Sequence, residues 1–279
     1  MKAQGLPPPR ILSIAGSDSS GGAGIQADVK TITMLGGYAM TAITAVTAQN
    51  SIGVQGITPL EGEFVAAQIR SCIDDIGVDA IKIGMLQNAD IIGHVAAVLE
   101  GLSVNLPVIL DPVMVATSGA RLLESDAIDV MRTRLFPLAT MLTPNLPELE
   151  LLSGRKLRDT SLAREAAQEL ATAHGCAVLA KGGHTGDEEN EGSQVIDLLQ
   201  MADGSMASFT DARIYSRNTH GTGCTLSAAI ATLLGHGQNV EHSVRLARQF
   251  VREAIWKAPD FGTGAGPLGH QAVRLAGED

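Results

Sequence analysis

Aromatic side chains make up only 3% of the 279 residues. That scarcity excludes the stacked-base platforms that hold single-stranded nucleic acid. Positive charge is also short, with 20 Lys and Arg against 30 Asp and Glu and a net charge of -10. Nucleic acids and anionic membranes want the opposite balance. The acidity reads as solubility, and an anionic small molecule stays admissible because backbone N–H groups bind anions locally. Cysteine is limited to Cys72, Cys176 and Cys224, with no C-x-x-C pair and no Cys/His cluster at zinc spacing. A sparse, odd count fits a reducing, cytoplasmic setting. No apolar run approaches a membrane span. The opening MKAQGLPPPR has no apolar core of a signal peptide, and residues 1–9 read as a disordered lead-in.

Apolar residues are plentiful, at 45%, enough for one large α/β domain over residues 10–279. β-branched runs at 10–16, 38–50, 79–84, 107–111, 139–145 and 176–183 read as strands. Weaker strands follow near 194–199 and 206–210, after a polar loop at 185–193. Helical periodicity marks 24–37, 61–76, 88–101, 124–135, 159–173, 223–235 and 240–257. It puts Ile25, Val29, Ile32 and Leu35 on one face, and Val65, Ile69, Cys72, Ile73 and Ile76 on another. Cys72 and Cys176 then read as core. Strands alternating with helices predict a mostly parallel sheet covered on both faces. The short strands around 38–58 suit a small lid or a sheet edge.

In such a sheet ligands bind beyond the carboxyl ends of the strands. The segments there are GSDSSGGAG (16–24), TAQNS (47–51), GML (84–86), DPVMVATSG (111–119), TPNLPE (143–148) and KGGH (181–184). GAGIQA (22–27) matches a dinucleotide fingerprint, but no Asp or Glu lies between Asp28 and Glu61 to hold a ribose. A P-loop fails as well, because Gly22 stands where lysine is needed. Asp28 is either a solvated helix residue or a carboxylate facing the cleft. Asn145 and Glu148 share a face if a helical turn starts there. They then hold either a magnesium water shell or only a helix start. Lys181, ending a buried strand, suits a phosphate.

NTHGTGC (218–224) precedes an apolar helical run, so the N–H groups of Gly221, Thr222, Gly223 and Cys224 should converge on an anion. A cysteine there should have a lowered pKa. One reading makes Cys224 a hydrolase nucleophile with His220 as base, although no third orienting residue is evident. Another makes it packing.

Taken together, AGSDSSGGAGIQADVKT, TAQNS, IKIGML, LDPVMVATSG, TPNLPE, KGGH and NTHGTGCTLSAAIA span nearly the whole chain. The set resembles the hydroxymethylpyrimidine/phosphomethylpyrimidine kinases of thiamine biosynthesis, in the ribokinase-like superfamily. The resemblance implies a three-layer αβα fold, ATP and Mg2+, successive phosphorylation of the pyrimidine and its monophosphate, and a homodimer. It implies pyrimidine contacts at Ala23, Asp28, Gln49, Met85 and Val113. It puts metal and phosphate positions at Asp111, Asn145 and Glu148, and a phosphate-facing lysine at Lys181. Gly221, Thr222, Gly223 and Cys224 match its anion hole. Ser19, where proline is commoner, and Thr47, where an aliphatic residue is frequent, depart from the pattern. Sugar-kinase relatives carry an aspartate base at the position of Cys224. A thiol there would spare a phosphate acceptor the repulsion of a fixed carboxylate. The rivals are a pyridoxine or pyridoxal kinase of the same fold, a cysteine hydrolase, and a non-catalytic sensor.

Overall fold

Successive residues of the first strand face two different helical layers: Leu12 and Ile14 join one apolar cluster, Ile11 the other. This period-2 alternation is repeated across a computed structural model that describes residues 7–102, 106–114, 122–124, 126–182 and 194–274. The chain runs β1 (Arg10–Ala15), α1 (Gly24–Met34), β2 (Tyr38–Ile43), β3 (Ala45–Gln49), β4 (Val54–Pro59), α2 (Gly62–Asp75), β5 (Ala80–Ile83), α3 (Ala89–Glu100) and β6 (Val108–Leu110). It continues through α4 (Ala127–Val130), β7 (Met141–Leu142), α5 (Leu146–Ser153), α6 (Thr160–His174), β8 (Ala177–Ala180), β9 (Gln194–Gln200), β10 (Met206–Ala212), α7 (Thr222–Gly235) and α8 (Val240–Trp256).

Eight strands form one sheet in the order β10-β9-β8-β7-β6-β5-β1-β2. Pairing is parallel from β2 to β8 and antiparallel from β8 through β10. The larger cluster packs α2, α3, α5 and α6 on one face, through residues such as Ile69, Ile92, Leu149 and Ala167. Ile32, Ile230 and Val244 of α1, α7 and α8 cover the other face. The expected three-layer αβα fold is therefore present. Among the described residues no helix is long and apolar enough to cross a membrane.

Local chemistry explains where the expected elements shift. The strand expected over 38–50 breaks at Thr44, which is buried. Its N–H donates to the Ala15 carbonyl at 3.1 Å, its hydroxyl to the Met85 carbonyl at 2.6 Å, and its own carbonyl accepts from Leu60. These bonds turn the chain out of the sheet, and β3 pairs with β4 as a separate antiparallel ribbon. The helix expected over 124–135 is regular only across α4. It widens into a π turn at Met131–Leu135, then tightens over Phe136–Leu138 around Pro137.

Helix α5 is additional. Asn145 caps it in a reciprocal box with Glu148, and Gly154 ends it in the left-handed conformation. Val29 is exposed, and Asp28 takes the inward place between Ile25 and Ile32. Cys72 is half-buried against the larger cluster, whereas Cys176 lies inside it. Pro9, in the expected disordered lead-in, is buried and its carbonyl accepts from Tyr38 at 2.8 Å. Residues 1–6, the polar loop at 185–193, and the ends of DPVMVATSG and KGGH lie outside the described residues.

Candidate active site

Strand order reverses at β1, whose neighbours are β2 and β5. A parallel sheet opens its ligand crevice at such a switch point. The loops after β1, β5, β6, β7 and β8 all end on that side, and α7 starts there.

Gly221 is the N-cap of α7, at φ +86°, and offers no side chain to cap the helix. A side chain here would overlap the Gly22 carbonyl, so glycine lets the two loops touch. Thr222 N–H turns back to the Thr219 carbonyl at 3.3 Å. A β-carbon on Gly223 would sit 3.3 Å from Asp111 Oδ2 and 3.4 Å from Lys181 Nζ. The helix N-terminus therefore faces an ammonium and a carboxylate across a gap that a Cβ would narrow.

Lys181 Nζ contacts Asp111 Oδ1 at 2.8 Å and lies 4.0 Å from Glu148 Oε2. Thr143 Oγ1 donates to Asp111 Oδ1 at 3.0 Å, and Ser227 Oγ reaches Oδ2 at 3.5 Å. Burial works against the Lys181 charge, but Asp111 and Glu148 outweigh it and raise the pKa above the ordinary lysine value. Burial pushes Glu148 up to about 7, with Lys181 pulling it down and Asp111 adding to the rise. Asn145 and Glu148 do share a face, through the capping box: Asn145 Oδ1 accepts from Glu148 N at 2.9 Å and Glu148 Oε2 from Asn145 N at 2.7 Å. The helix-start role is thus built, and it also brings Glu148 to Lys181.

Below lies a buried ion pair. Ser13 of β1 and Lys82 of β5 are register partners, and α1 lowers Asp28 onto both. Asp28 Oδ2 accepts from Ser13 Oγ at 2.6 Å and from Lys82 Nζ at 2.8 Å. Burial raises the Asp28 pKa, while on Lys82 the neighbouring Asp28 outweighs burial and raises the ammonium. The two shifts lean toward different protonation states, and the two short contacts decide for the ion pair. Asp28 is fully buried, which corrects the reading of it as a solvated helix residue. Its Oδ1 has no hydrogen-bond partner among the described residues.

Cys224 lies within the field of this pair. Burial pushes its thiol up to about 11; Lys82 opposes that, and Asp28 and Asp111 add to it. The expected lowered pKa is overturned, because desolvation and two carboxylates outweigh Lys82 and the Gly24 N–H. His220 does not serve Cys224 as a base. Its Nε2 lies 2.8 Å from Asp18 Oδ2 and 3.3 Å from the Gln49 side-chain nitrogen.

Ala23, Gln49, Met85 and Val113 fall at the ends of β1, β3, β5 and β6 or in the loops after them. Met85 packs with Ala45 and Leu122 over Gly16, and Val113 and Ile57 join that apolar patch. Ala23 is the N-cap of α1, and its N–H donates to Asp18 at 2.8 Å. Burial alone would raise Asp18; hydrogen bonds from His220, Ser20 and Ala23 outweigh it and hold the carboxyl at about 2. Sequence reading missed Asp18 and Lys82. Asp18 has its partner 202 residues away, and Lys82 looks like an ordinary strand residue until α1 is packed against it.

No group of three His, Cys, Asp or Glu side chains forms a metal cage among the described residues. The two carboxylates beside Lys181 are hard oxygen donors. They suit a magnesium ion that keeps most of its waters and takes further oxygens from phosphates.

A family model described as phosphomethylpyrimidine kinase matches residues 18–269. A hydroxymethylpyrimidine/phosphomethylpyrimidine kinase of Streptomyces coelicolor is 48% identical over 265 residues, 94% of either chain. The bifunctional thiamine biosynthesis protein ThiED of Geobacter sulfurreducens is 45% identical over 96% of this chain and 53% of its own. Among solved structures, a phosphomethylpyrimidine kinase of Clostridium difficile 630 is 36% identical with a TM-score of 0.76, covering 88% of this chain and 99% of the other. Bacillus subtilis pyridoxal kinase, solved with ADP, is 35% identical with a TM-score of 0.83, covering 95% and 98%.

Proposed function

The chain belongs to the phosphomethylpyrimidine kinase family, and from that premise we propose how its crevice works. The enzyme transfers the γ-phosphoryl group of ATP to hydroxymethylpyrimidine, and then to the monophosphate, for thiamine biosynthesis. The observation that carries this reading is the convergence at Gly223, where the uncapped start of α7 meets Lys181 and Asp111. Phosphoryl transfer asks mainly for positioning and for neutralisation of spreading negative charge. Backbone N–H groups of Gly221, Gly223 and Cys224 and the Lys181 ammonium supply both, with the Thr222 N–H held by Thr219. The acceptor oxygen attacks the γ-phosphorus, and the bond to the ADP oxygen breaks. The proton of the hydroxymethyl acceptor passes to an oxygen of the transferred phosphoryl group; the monophosphate acceptor attacks as an anion.

Ala23, Gln49, Met85 and Val113 hold the ring at the strand ends, with Asp28 below. Asp111 and Glu148, steadied by Asn145, would hold magnesium, which adds positive charge at the phosphates. At neutral pH Cys224 is a thiol. It walls the acceptor pocket without placing a fixed negative charge beside a phosphate acceptor. The reading includes a homodimer, for which the exposed apolar residues Val46 and Ile52 of the ribbon and its turn offer a surface, and a cytoplasmic setting, in keeping with three free thiols.

The pyridoxal kinase reading rests on structural neighbours at 32–35% identity, below the 48% of the pyrimidine kinase relative. A coupled ADP-release assay with hydroxymethylpyrimidine, its monophosphate and pyridoxal tests the proposal. Turnover of both pyrimidines supports it. Turnover of pyridoxal alone, or product without ATP, overturns it.

A further inference from the structure

His220 stood out in the sequence as a candidate base, and the phosphoryl-transfer reading leaves it unused. It is nevertheless tightly built in. Its ring lies against the Cα of Gly22, where a side chain would collide with it, and its backbone N–H donates to the Gly266 carbonyl at 3.1 Å. The residue is 7% exposed.

Asp18 decides which proton His220 carries. Ser20 N and Oγ donate to Asp18 Oδ1 at 2.9 and 2.8 Å, and Gly22 N and Ala23 N to Oδ2 at 3.1 and 2.8 Å. A carboxylate surrounded by donors is acceptor-only. The His220 Nε2 that faces it at 2.8 Å must therefore bear hydrogen. The tautomer with hydrogen only on Nδ1 would set two lone pairs against each other.

The same Nε2 lies 3.3 Å from the end of the Gln49 side chain. Its one hydrogen is held mainly by Asp18, and a protonated Nε2 has no lone pair to accept from an amide N–H. This neighbour therefore favours the amide oxygen over the nitrogen found beside it. The other end of the amide gives the same answer. It lies 3.3 Å from Thr47 Oγ1, and that hydroxyl already gives its one hydrogen to the Ser17 carbonyl at 2.8 Å. Thr47 can only accept from Gln49, so it selects the NH2 group. Turning the amide by 180° exchanges O and N at almost no steric cost, so only these two neighbours decide the orientation. The Gln49 backbone is fixed as well: Ser19 Oγ accepts from its N–H at 2.9 Å and donates to its carbonyl at 2.8 Å. Both positions that depart from the family pattern, Ser19 and Thr47, thus bond to Gln49.

We infer that His220, held by Asp18 and opposed by Thr47, is a specificity-determining positioning residue that presets the Gln49 amide for a ring bearing an amino group beside an unprotonated nitrogen. One lone pair and one N–H of the amide remain for the ligand. They accept from the amino group and donate to the ring nitrogen. A ring with a carbonyl beside an N–H presents the reverse order and meets donor with donor. Discrimination arises because the amide is not free to turn. This rests on the pyrimidine reading above and adds how the pocket chooses among pyrimidines.

The test compares kcat/KM for the 4-amino substrate with that for its 4-oxo analogue. Wild type, His220→Leu, His220→Gln and Thr47→Val are measured in parallel. His220→Leu removes the donor and lets the amide turn, so the amino-to-oxo ratio should fall by about tenfold or more. The loss should appear in the KM of the acceptor and not in that of ATP. Thr47→Val should lower the ratio by about threefold to tenfold. His220→Gln keeps an N–H near the Nε2 position and should restore most of the ratio. An unchanged ratio in both His220→Leu and Thr47→Val overturns the inference. So does a change confined to the KM for ATP, which would tie His220 to the phosphate loop instead. Wild type that ignores the amino substrate overturns the pyrimidine reading, and this inference with it. Nitrogen-15 NMR of wild-type His220 stands apart from every variant's folding: protonated Nε2 supports the assignment, and a neutral ring protonated only at Nδ1 defeats it.

Discussion

Lys82 Nζ lies 2.8 Å from Asp28 Oδ2, with both side chains fully shielded from water. Such a pair is costly to halve and cheap to replace whole. Lys82→Met should destabilise the fold by about 3–5 kcal/mol. Lys82→Met combined with Asp28→Leu should recover most of that loss. Urea unfolding of the single and double variants measures both, and equal losses would show that the charges are not acting as a pair.

Cys224 should be a slow thiol. With its pKa at about 11, alkylation by iodoacetamide should rise about tenfold per pH unit from 7 to 9. A rate already at plateau by pH 7 would mean a thiolate. The acceptor comparison is sharper still. As a neutral pocket wall, Cys224→Ala should lower activity on the hydroxymethyl and the phosphate acceptor by the same modest factor. A loss of about 10²-fold confined to the hydroxymethyl acceptor would instead make Cys224 its base.

Gly223→Ala tests the phosphoryl site with little demand on the fold. The new methyl would press on Asp111 Oδ2 and Lys181 Nζ at 3.3 and 3.4 Å, within the space assigned to the phosphoryl group. The expected result is a loss in kcat of about 10²-fold or more, with the melting temperature within a few degrees of wild type. Full activity would move the transfer site elsewhere.

Acid should weaken the protein in two separate windows. His270 is buried, its Nε2 lies 2.8 Å from Thr225 Oγ1, and burial lowers its pKa to about 4. The unfolded chain takes up the proton first, from its ordinary value of 6.5 downward. Stability is therefore lost as pH falls from 6.5 to 4, by about 2 kcal/mol at pH 5. Asp18 is likewise kept deprotonated by the native state, with its pKa held at about 2 against 3.8. Its contribution, about 2 kcal/mol, is complete above 3.8 and lost as pH falls toward 2. His270→Asn should flatten the first window and leave the second, as read by denaturant midpoints at pH 7, 5 and 3.

The order of strands and helices was legible because one face of nearly every element is apolar at period 2 or 3.6. The glycines of GTGC and the position of Lys181 were legible because backbone chemistry writes itself locally. The pKa of Cys224 was not, since a helix start is visible in sequence but the weight of burial above Asp28 and Asp111 is not. The break at Thr44 was hidden for a similar reason. Its partners Ala15, Met85 and Leu60 come from three other segments. Asp18 looks like a turn residue, and only the return of the chain at His220 gives it a charge partner.

Gly221 and Gly22 meet so closely that neither loop has room for the other to change alone. One loop borders the acceptor and the other the transferred phosphate. A library that varies the acceptor loop by itself would lose the phosphate site along with the old acceptor, and would be scored as dead. New acceptors are therefore to be sought in paired libraries, where both loops are redrawn in the same clone.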